Sequence, residues 1–284
     1  MKASVKYLAI YRHKDKYLIQ AMCNFFEVSR SGYYDFIKRI NKVDKDEIIG
    51  KLIRECQSNT RKTYGYRRVL ICLQRKGIKI NHKTVLRIMN KYGLLSEIRR
   101  RRKYRYMGDQ IHKYENILNR EFTASQPNKK WVTDISYIKT KQGFLYLSAI
   151  RDLYDLSIVA YRTGTEQTIN LVLNTIKDAV KKERVTTELQ LHSDQGFQYS
   201  SQGYFNLTKE YGITPSMSRR GNCYDNALAE NFFGILKSEC IYRQKLKSFD
   251  EARYLIDDYI YFYNNERIQL KTKLTPSEKR CQFG

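Results

Sequence analysis

The spacing of apolar residues changes near residue 130, and this change constrains the fold more than any other feature of the sequence. Before it, apolar residues recur every three to four positions, as at Val85, Ile88 and Met89, which is typical of helices. After it, the segment KWVTDISYIKT at 130–140 alternates as a strand does. The sequence therefore predicts an all-helical first part followed by a part that contains a sheet.

The second part predicts a mixed five-stranded α/β sheet with flanking helices. Three strands with short connections come first, as in an antiparallel meander, and helices then alternate with strands. Thr165 is the predicted N-cap of the first of these helices. The predicted strands are 130–140, 144–153, 157–163, 189–194 and 213–218, and the predicted helices are 165–182, 199–211, 225–241 and 249–263.

The first part predicts helices over 1–42, with a turn at Ser31-Gly32, and over 43–56. Ile48, Ile49, Leu52 and Ile53 are expected to face inward. Two further short helices at 63–95 are separated by Gly77, and Asn81 is expected to cap the second. This basic pair matches a helix-turn-helix, although a plain helical hairpin has the same pattern.

The positive charge is concentrated in the first part of the chain. Residues 1–120 contain 30 Lys or Arg and 10 Asp or Glu, whereas residues 121–284 contain 23 and 19. This asymmetry, and the run RRRRKYRY at 99–106, predict DNA binding, with a solvated linker as the alternative for the run. The candidate DNA-contacting residues are Arg67, Arg68, Arg99, Arg100, Arg101, Arg102, Lys103 and Arg105.

Polar residues ending in Ser125-Gln126-Pro127-Asn128 mark the main domain boundary. Apolar runs are too short for a transmembrane helix, and the N-terminus has no signal-peptide pattern, so a cytoplasmic, nucleoid-associated protein with reduced cysteines is expected. The expected domains are a helical segment at 1–42, a helix-turn-helix-like domain at 43–106, a linker at 107–127, a core at 128–242 and a helical extension at 243–284.

Three acidic residues occupy places that suggest a function. Asp134 interrupts an apolar strand, Asp194 ends a strand, and Glu230 shares a helix face with Asn226 and Lys237. Each alone has an ordinary explanation as an edge charge, a turn residue or a surface helix residue. Together they suggest a site for two hard divalent ions such as Mg²⁺, because converging carboxylates repel one another without cations and such pairs of ions catalyse phosphoryl displacement.

Several motifs, taken jointly, resemble a known family. They are WVTDISYI, HSDQG and NALAENFFGILK, with 35 residues between Asp194 and Glu230 and with Lys237 seven positions after Glu230. This pattern resembles the DDE integrase core shared by retroviral integrases and bacterial transposases. With TYGYRR at 63–68, RGNCYDNALAENFF at 220–233 and YNNERIQLKTKLTPSE at 263–278, nearly the whole chain resembles the second reading frame product of IS-three family insertion sequences.

The resemblance implies an RNase H-like core in which Asp134, Asp194 and Glu230 bind two metal ions and catalyse DNA strand cleavage and transfer. It implies that Lys237 holds a DNA phosphate and that Asn226 orients the substrate or a water molecule. His192 and Gln195 would support the site from beside Asp194, although His192 could equally be an ordinary strand residue.

The resemblance also implies partners. These are double-stranded DNA, namely the terminal inverted repeats and the target, a second copy of the chain on DNA, and the product of an upstream reading frame, to which frameshifting would fuse this chain. Unlike retroviral integrases, the chain has no Cys at ligand spacing from His13, His82 or His112, so no zinc site is expected. Gln269 stands where the family usually has His, which leaves the role of that position open.

Two other functions remain possible from the sequence. One is a DNA-binding regulator with an inactive core, which would have no need for three acids at this spacing. The other is a nuclease or RNase H that only hydrolyses nucleic acid, which would have less need for a basic helix-turn-helix.

Overall fold

The computed structural model of the chain describes residues 2–40, 45–97, 114–183, 185, 188–219 and 223–283. The basic residues Arg99, Arg100, Arg101, Arg102, Lys103 and Arg105 lie outside this part of the chain. The described residues form two compact units, residues 1–54 and residues 55–284. No helix among them is long and apolar enough to span a membrane.

The first unit consists of helices. They are α1 (Ala3–Arg12), α2 (Ile19–Phe25), α3 (Arg30–Ile40) and the beginning of α4 (Lys45–Asn59). Their apolar faces meet at Ile10, Met22, Cys23 and Tyr33, which are all buried.

Two expectations for this unit are wrong. The predicted turn at Ser31-Gly32 lies inside α3, which begins after Ser29, whose hydroxyl accepts the N–H of Gly32 at 3.0 Å. A Cβ on Gly32 would lie 2.3 Å from the hydroxyl of Tyr7, so the glycine permits close packing rather than a turn. Ile48, expected to face inward, is 60% exposed.

The second unit begins with the two helices that were predicted as a basic pair, α5 (Tyr66–Arg75) and α6 (His82–Lys91). The Asn81 side chain accepts the N–H of Lys83 at 2.8 Å, which confirms the predicted cap. The two helices pack through buried side chains, among them Val69, Leu73, Val85, Ile88 and Met89.

A five-stranded mixed sheet forms the centre of the second unit, as predicted. Its strands lie in the order β3-β2-β1-β4-β5. The first three form an antiparallel meander, whereas β4 runs parallel to β1 and β5 parallel to β4. The strands are β1 (Lys130–Thr140), β2 (Gly143–Asp152), β3 (Ile158–Gly164), β4 (Gln190–Ser193) and β5 (Thr214–Met217).

Helices cover the sheet. Trp131, Val172, Ile176, Leu191 and Tyr204 belong to the core between the sheet and two of these helices, and all five are buried. The helices of this unit are α7 (Ile169–Glu183), α8 (Gln202–Glu210), α9 (Ala227–Glu239), α10 (Phe249–Asn265) and α11 (Pro276–Cys281), and a 3₁₀ turn at Cys223–Asn226 leads into α9.

The predicted N-cap of α7 is wrong by three residues. The helix begins at Ile169, and the hydroxyl of Thr168, not that of Thr165, accepts the N–H of Leu171 at 3.2 Å. Thr165 and Thr168 both carry a hydroxyl that can cap a helix N-terminus, and α7 begins directly after Thr168.

The C-terminal segment joins the helical pair to the rest of the second unit. The Tyr64 hydroxyl donates to the carbonyl of Glu266 at 3.1 Å and accepts the N–H of Ile268 at 2.8 Å. Arg75 on α5 pairs with Glu278 on α11 at 2.8 Å. Because Tyr64 is buried, this contact is part of the interior and not a surface encounter.

Candidate active site

The carboxylates of Asp134 and Asp194 occupy aligned positions on neighbouring strands. Val132 of β1 is paired with His192 of β4 in a parallel register, and the two aspartates each follow two residues later. Side chains two residues apart lie on the same face of a strand, so both carboxylates project near the carboxyl end of β4. This edge of a parallel pair is where open α/β sheets gather ligand-binding residues.

Asp134 lies in a negative electrostatic environment. Burial raises its pKa well above the ordinary value of 3.8, and the charges of Asp194 and Glu230 raise it further. The N–H of Ile135 donates to Asp134 Oδ1 at 2.7 Å and, with the charge of Lys237, acts in the opposite direction on this pKa. Asp194 and Glu230 are thus each close enough to Asp134 to disfavour its charged form.

Asp194 is held at the end of β4 by a short turn. Its Oδ1 accepts the N–H of Gly196 at 2.9 Å, and a Cβ on Gly196 would meet the same oxygen at 2.9 Å, so only glycine fits here without a shift. Burial raises the pKa of Asp194. Tyr199 is buried near both aspartates, and its hydroxyl lies 3.3 Å from the hydroxyl of Thr133.

Glu230 reaches this site because α9 packs on β1. Ala229 of α9 and Val132 of β1 share one small apolar cluster, which places the first turns of the helix beside the aspartates. Lys237 lies two turns further along α9, half-buried, with its Nζ 4.8 Å from the ring centroid of Tyr137. Burial lowers the pKa of Lys237, while the charge of Asp134 raises it.

The described residues contain no group of three His, Cys, Asp or Glu side chains close enough to hold one metal ion together as they stand. The three acids are half-buried, and the charges of Asp194 and Glu230 both act on Asp134. Carboxylate oxygens suit hard divalent cations, and a cation between the acids would remove their repulsion. The chemistry of the donor set, three carboxylates, therefore fits a hard divalent cation such as Mg²⁺ or Mn²⁺.

His192 is fully buried and bridges two strands. Its Nδ1 lies 2.9 Å from the Ser216 hydroxyl and its Nε2 lies 3.1 Å from the Ser218 hydroxyl. Burial lowers its pKa to about 4. Gln195 donates to the carbonyl of Ser218 at 2.9 Å. His192 and Gln195 thus connect the end of β4 to β5 and to Ser218, the residue that follows β5.

Asn226, at the start of α9, is buried, and its Oδ1 has no hydrogen-bond partner among the described residues. An orphaned buried oxygen costs free energy unless a further group donates to it. The position, one turn before Glu230, is compatible with the predicted role in orienting substrate or water.

Asp225, for which the sequence predicts no role, lies at the centre of an ionic cluster. Its fully buried carboxylate accepts from Arg120 at 2.9 Å, from Arg219 Nε at 2.9 Å and from Asn116 at 2.8 Å. The Arg219 guanidinium holds the pKa of Asp225 well below its ordinary value, and Arg120 adds to this effect. The sequence signal was only that an acid stands directly before α9 in the motif RGNCYDNALAENFF.

Arg67 and Arg68 have different surroundings, although both were predicted to bind DNA. Arg67 is exposed and lies 5.7 Å from the ring centroid of Tyr66. Arg68 is half-buried, donates to the carbonyl of Ile268 at 2.9 Å, and has its pKa lowered by burial. Arg68 thus attaches α5 to the C-terminal segment.

Known families cover most of the chain. An HTH-like domain matches residues 44–102, and integrase core domains match residues 124–223 and 230–283. The catalytic core of an HTLV-2 integrase, solved in complex with magnesium, is 16% identical, with a TM-score of 0.45 over 55% of this chain and 98% of that chain. A likeness at that level supports no functional assignment.

Curated relatives resemble the chain over almost its full length. The putative transposase InsK for insertion sequence element IS150 of Escherichia coli K12 is 41% identical over 267 residues, which is 94% of either chain. The transposase InsF for insertion sequence IS3A of the same organism is 31% identical over 90% of this chain and 91% of its own. The chain belongs to the IS-three family of insertion-sequence transposases, with an RNase H-like integrase core, and is an enzyme that cleaves DNA strands and transfers them during transposition.

Proposed function

We propose that Asp134, Asp194 and Glu230 are the catalytic acids of this transposase and that together they bind two divalent metal ions, Mg²⁺ or Mn²⁺. The observation that carries this proposal is the negative field at Asp134, to which both other acids contribute. A protein gains nothing in stability by facing three carboxylates toward one another, so a ligand with positive charge is the reason for the arrangement.

When bound, a pair of such ions would supply Lewis-acid stabilisation of an in-line phosphoryl displacement. The chain's own contribution is orientation. The backbone N–H groups of Ile135 and Gly196 each fix one oxygen of an aspartate, which sets the plane of that carboxylate. The apolar cluster that contains Ala229 and Val132 sets the position of Glu230 relative to β1.

The reaction proceeds in two displacements. Water attacks a phosphorus at the element end, the bond from that phosphorus to the 3′ oxygen breaks, and a 3′-hydroxyl is released. That hydroxyl then attacks a target phosphodiester, and the target's own 3′ oxygen leaves. Lys237 binds the phosphate beside Asp134, and Asn226 accepts a hydrogen bond from substrate or water, while His192 and Gln195 hold β4 in place.

The DNA partners are the terminal inverted repeats and the target. We assign the proposed domains accordingly, with residues 43–106 binding DNA, 107–127 as linker, 128–242 as the catalytic core, and 1–42 and 243–284 as helical flanks. Because two element ends must be processed together, the working form is a homo-oligomer on DNA in the cytoplasm, with the upstream reading frame product as a further partner.

The test is an incubation of the full chain with duplexes carrying the element's ends and Mg²⁺, followed by mapping of nicked and joined strands. Asp134→Asn, Asp194→Asn and Glu230→Gln should each lose cleavage while binding DNA almost as before, and Asp250→Asn, at an 89% exposed acid, is the matched control. Cleavage by all three variants would refute the metal site. Hydrolysis without joining by the wild type would favour a nuclease, and inactive wild type that still binds DNA would favour a regulator.

DNA binding has its own test. Lys237→Ala should reduce the rate at limiting DNA, and neutralising Arg99 to Arg102 should weaken binding to every sequence and flatten its salt dependence.

Arg67→Ala should weaken DNA binding without loss of stability, since its side chain is exposed. Arg68→Ala should chiefly lower the stability, because this side chain anchors the carbonyl of Ile268. The reverse outcome for Arg67 and Arg68 would contradict their assignment.

A further inference from the structure

An aromatic pair is exposed on the hairpin formed by β1 and β2. Tyr137 is 59% exposed and Phe144 46%, and their ring centroids are 5.4 Å apart in an edge-to-face arrangement. In the strand register Tyr137 faces Tyr146 and Lys139 faces Phe144, so the two rings are diagonal neighbours. They form one continuous apolar surface that water covers in the free protein.

This pair adjoins the catalytic acids through Lys237. The Nζ of Lys237 lies 4.8 Å from the centroid of the Tyr137 ring, and the same ammonium group is within electrostatic range of Asp134. Tyr137 also follows Asp134 by three residues on one strand, a distance of about 10 Å. The side chains of Asp134 and Tyr137 leave opposite faces of β1, and Lys237 is the group that lies near both, so a base stacked at Tyr137 would adjoin a phosphate bound by Lys237.

The charges around the pair select the kind of occupant. The hairpin segment YIKTKQGFLY at 137–146 contains Lys139 and Lys141 and no acidic residue, and both lysines are exposed. The aromatic pair therefore has Lys237 beside the Tyr137 ring and two further lysines on the same hairpin. A flat aromatic ligand that carries a phosphate is complementary to this surface, whereas a second copy of this basic chain would bring like charges to it.

We propose that Tyr137 and Phe144 form a stacking platform for an unpaired nucleobase beside the scissile phosphate, with Lys237 bound to the adjoining phosphate group. The proposal rests on the proposed catalytic function, because it takes Asp134 as the position of the phosphate. Every base has a flat face, so such a platform favours a strand end with an unstacked base over a fully paired duplex, without selecting a particular sequence.

The test is fluorescence of 2-aminopurine, which is quenched when the base stacks. A duplex carrying the element's end, with 2-aminopurine replacing each of the last bases of the cleaved strand in turn, is titrated with the full chain. We expect quenching at one position next to the cleavage site. Tyr137→Ala should abolish it and weaken DNA binding about tenfold, or about 1.4 kcal/mol. Tyr137→Phe should keep both.

Two controls separate stacking from a structural effect. Tyr254→Ala removes a tyrosine that is 72% exposed on α10 and should change neither quenching nor affinity. An abasic site at the quenched position should weaken wild-type binding to the level of Tyr137→Ala, with no further loss when the two changes are combined.

Equal quenching by wild type and Tyr137→Ala would overturn the platform, as would additive losses from the abasic site and the substitution. A Tyr137→Ala chain that binds DNA normally but sediments as a smaller species would overturn it in favour of an interface between copies. These results do not depend on cleavage. If cleavage survives in the three acid variants, the catalytic proposal fails by its own test, whatever the fluorescence shows.

Discussion

Two charged clusters lie near the start of α9, one around the buried Asp225 and one around the half-buried Asp134, and their electrostatic surroundings are opposite. Asp225, directly before the helix, is contacted by the guanidinium groups of Arg120 and Arg219, which hold its pKa far down. Asp134, beside the first turns of the helix, faces other acids, and its pKa is raised. The first cluster is neutralised by the chain itself, whereas the second is left with excess negative charge.

The difference separates a structural role from a functional one. Asp225 ties α9 to Arg219 after β5 and to Arg120 before β1, so its charges position the helix that carries Glu230. The charges of Asp194 and Glu230 raise the pKa of Asp134, so the site around Asp134 is one where added positive charge is favoured. The start of α9 therefore lies near one carboxylate that arginines neutralise, Asp225, and near another whose pKa is raised by neighbouring acids, Asp134.

The helix α9 repeats the contrast in its two glutamates. Glu230 faces the acids, whereas Glu239, 4% exposed, accepts from Arg267 at 2.6 Å and from Tyr259 at 2.7 Å. The second glutamate fixes the end of α9 to α10 and to the segment after it. Its sequence position alone does not distinguish it from the first.

The largest effect on stability is expected where the buried ion pair of Arg267 and Glu239 is broken. Arg267→Met should lower the free energy of unfolding by about 3–5 kcal/mol, because it leaves Glu239 charged and buried without its partner. Thermal and urea unfolding measure this loss. Arg253→Met, which breaks the exposed pair with Asp250, should change stability by less than about 1 kcal/mol. Equal losses in the two variants would show that burial does not matter here.

A smaller loss is expected from Asp225→Asn, about 1–3 kcal/mol, since two guanidinium groups lose their acceptor charge. The pH dependence follows from the lowered pKa of Asp225. Its contribution is complete above the ordinary value of 3.8 and is lost as pH falls toward the lower folded value. Wild type should therefore lose more stability than the variant between about pH 5 and pH 2. Parallel curves would argue against this ionic role.

The smallest effect, and one of opposite sign, is expected from Asp134→Asn. Removing one of three mutually repelling charges should raise the stability by roughly 1 kcal/mol in EDTA, a shift of about 2–4 °C in Tm. Mg²⁺ or Mn²⁺ should raise the Tm of the wild type and not that of the variant. A destabilised variant, or an equal response of both proteins to metal, would indicate that Asp134, like Asp225 and Glu239, has a structural role.

The sequence predicted much of the fold, because periodicity is local information. The alternation in 130–140 gave β1, and Asn81 gave the cap of α6, since each depends on the side chains of a few consecutive residues. The errors arose where local rules had two solutions. Thr165 and Thr168 both satisfy the cap rule, and Gly32 satisfies a turn rule although Tyr7 packs against it.

The candidate acids were chosen from their types and spacing and from a family resemblance, and the structure brings Asp134 within range of the other two. Their assignment as metal ligands stays a prediction. The Asp225 cluster was not foreseen, because its partners Asn116, Arg120 and Arg219 belong to separate segments. The exposed pair of Tyr137 and Phe144 was missed for the same reason, since strand pairing makes them neighbours.

The sequence by itself determined the helical and sheet-containing parts, the positions of the acids and the excess of positive charge in the first 120 residues. The tertiary structure alone decided which acids are neutralised and which are not. The physical reason is that the pKa of a carboxyl group depends on the charges within a few ångströms of it, and residues far apart in the chain supply those charges.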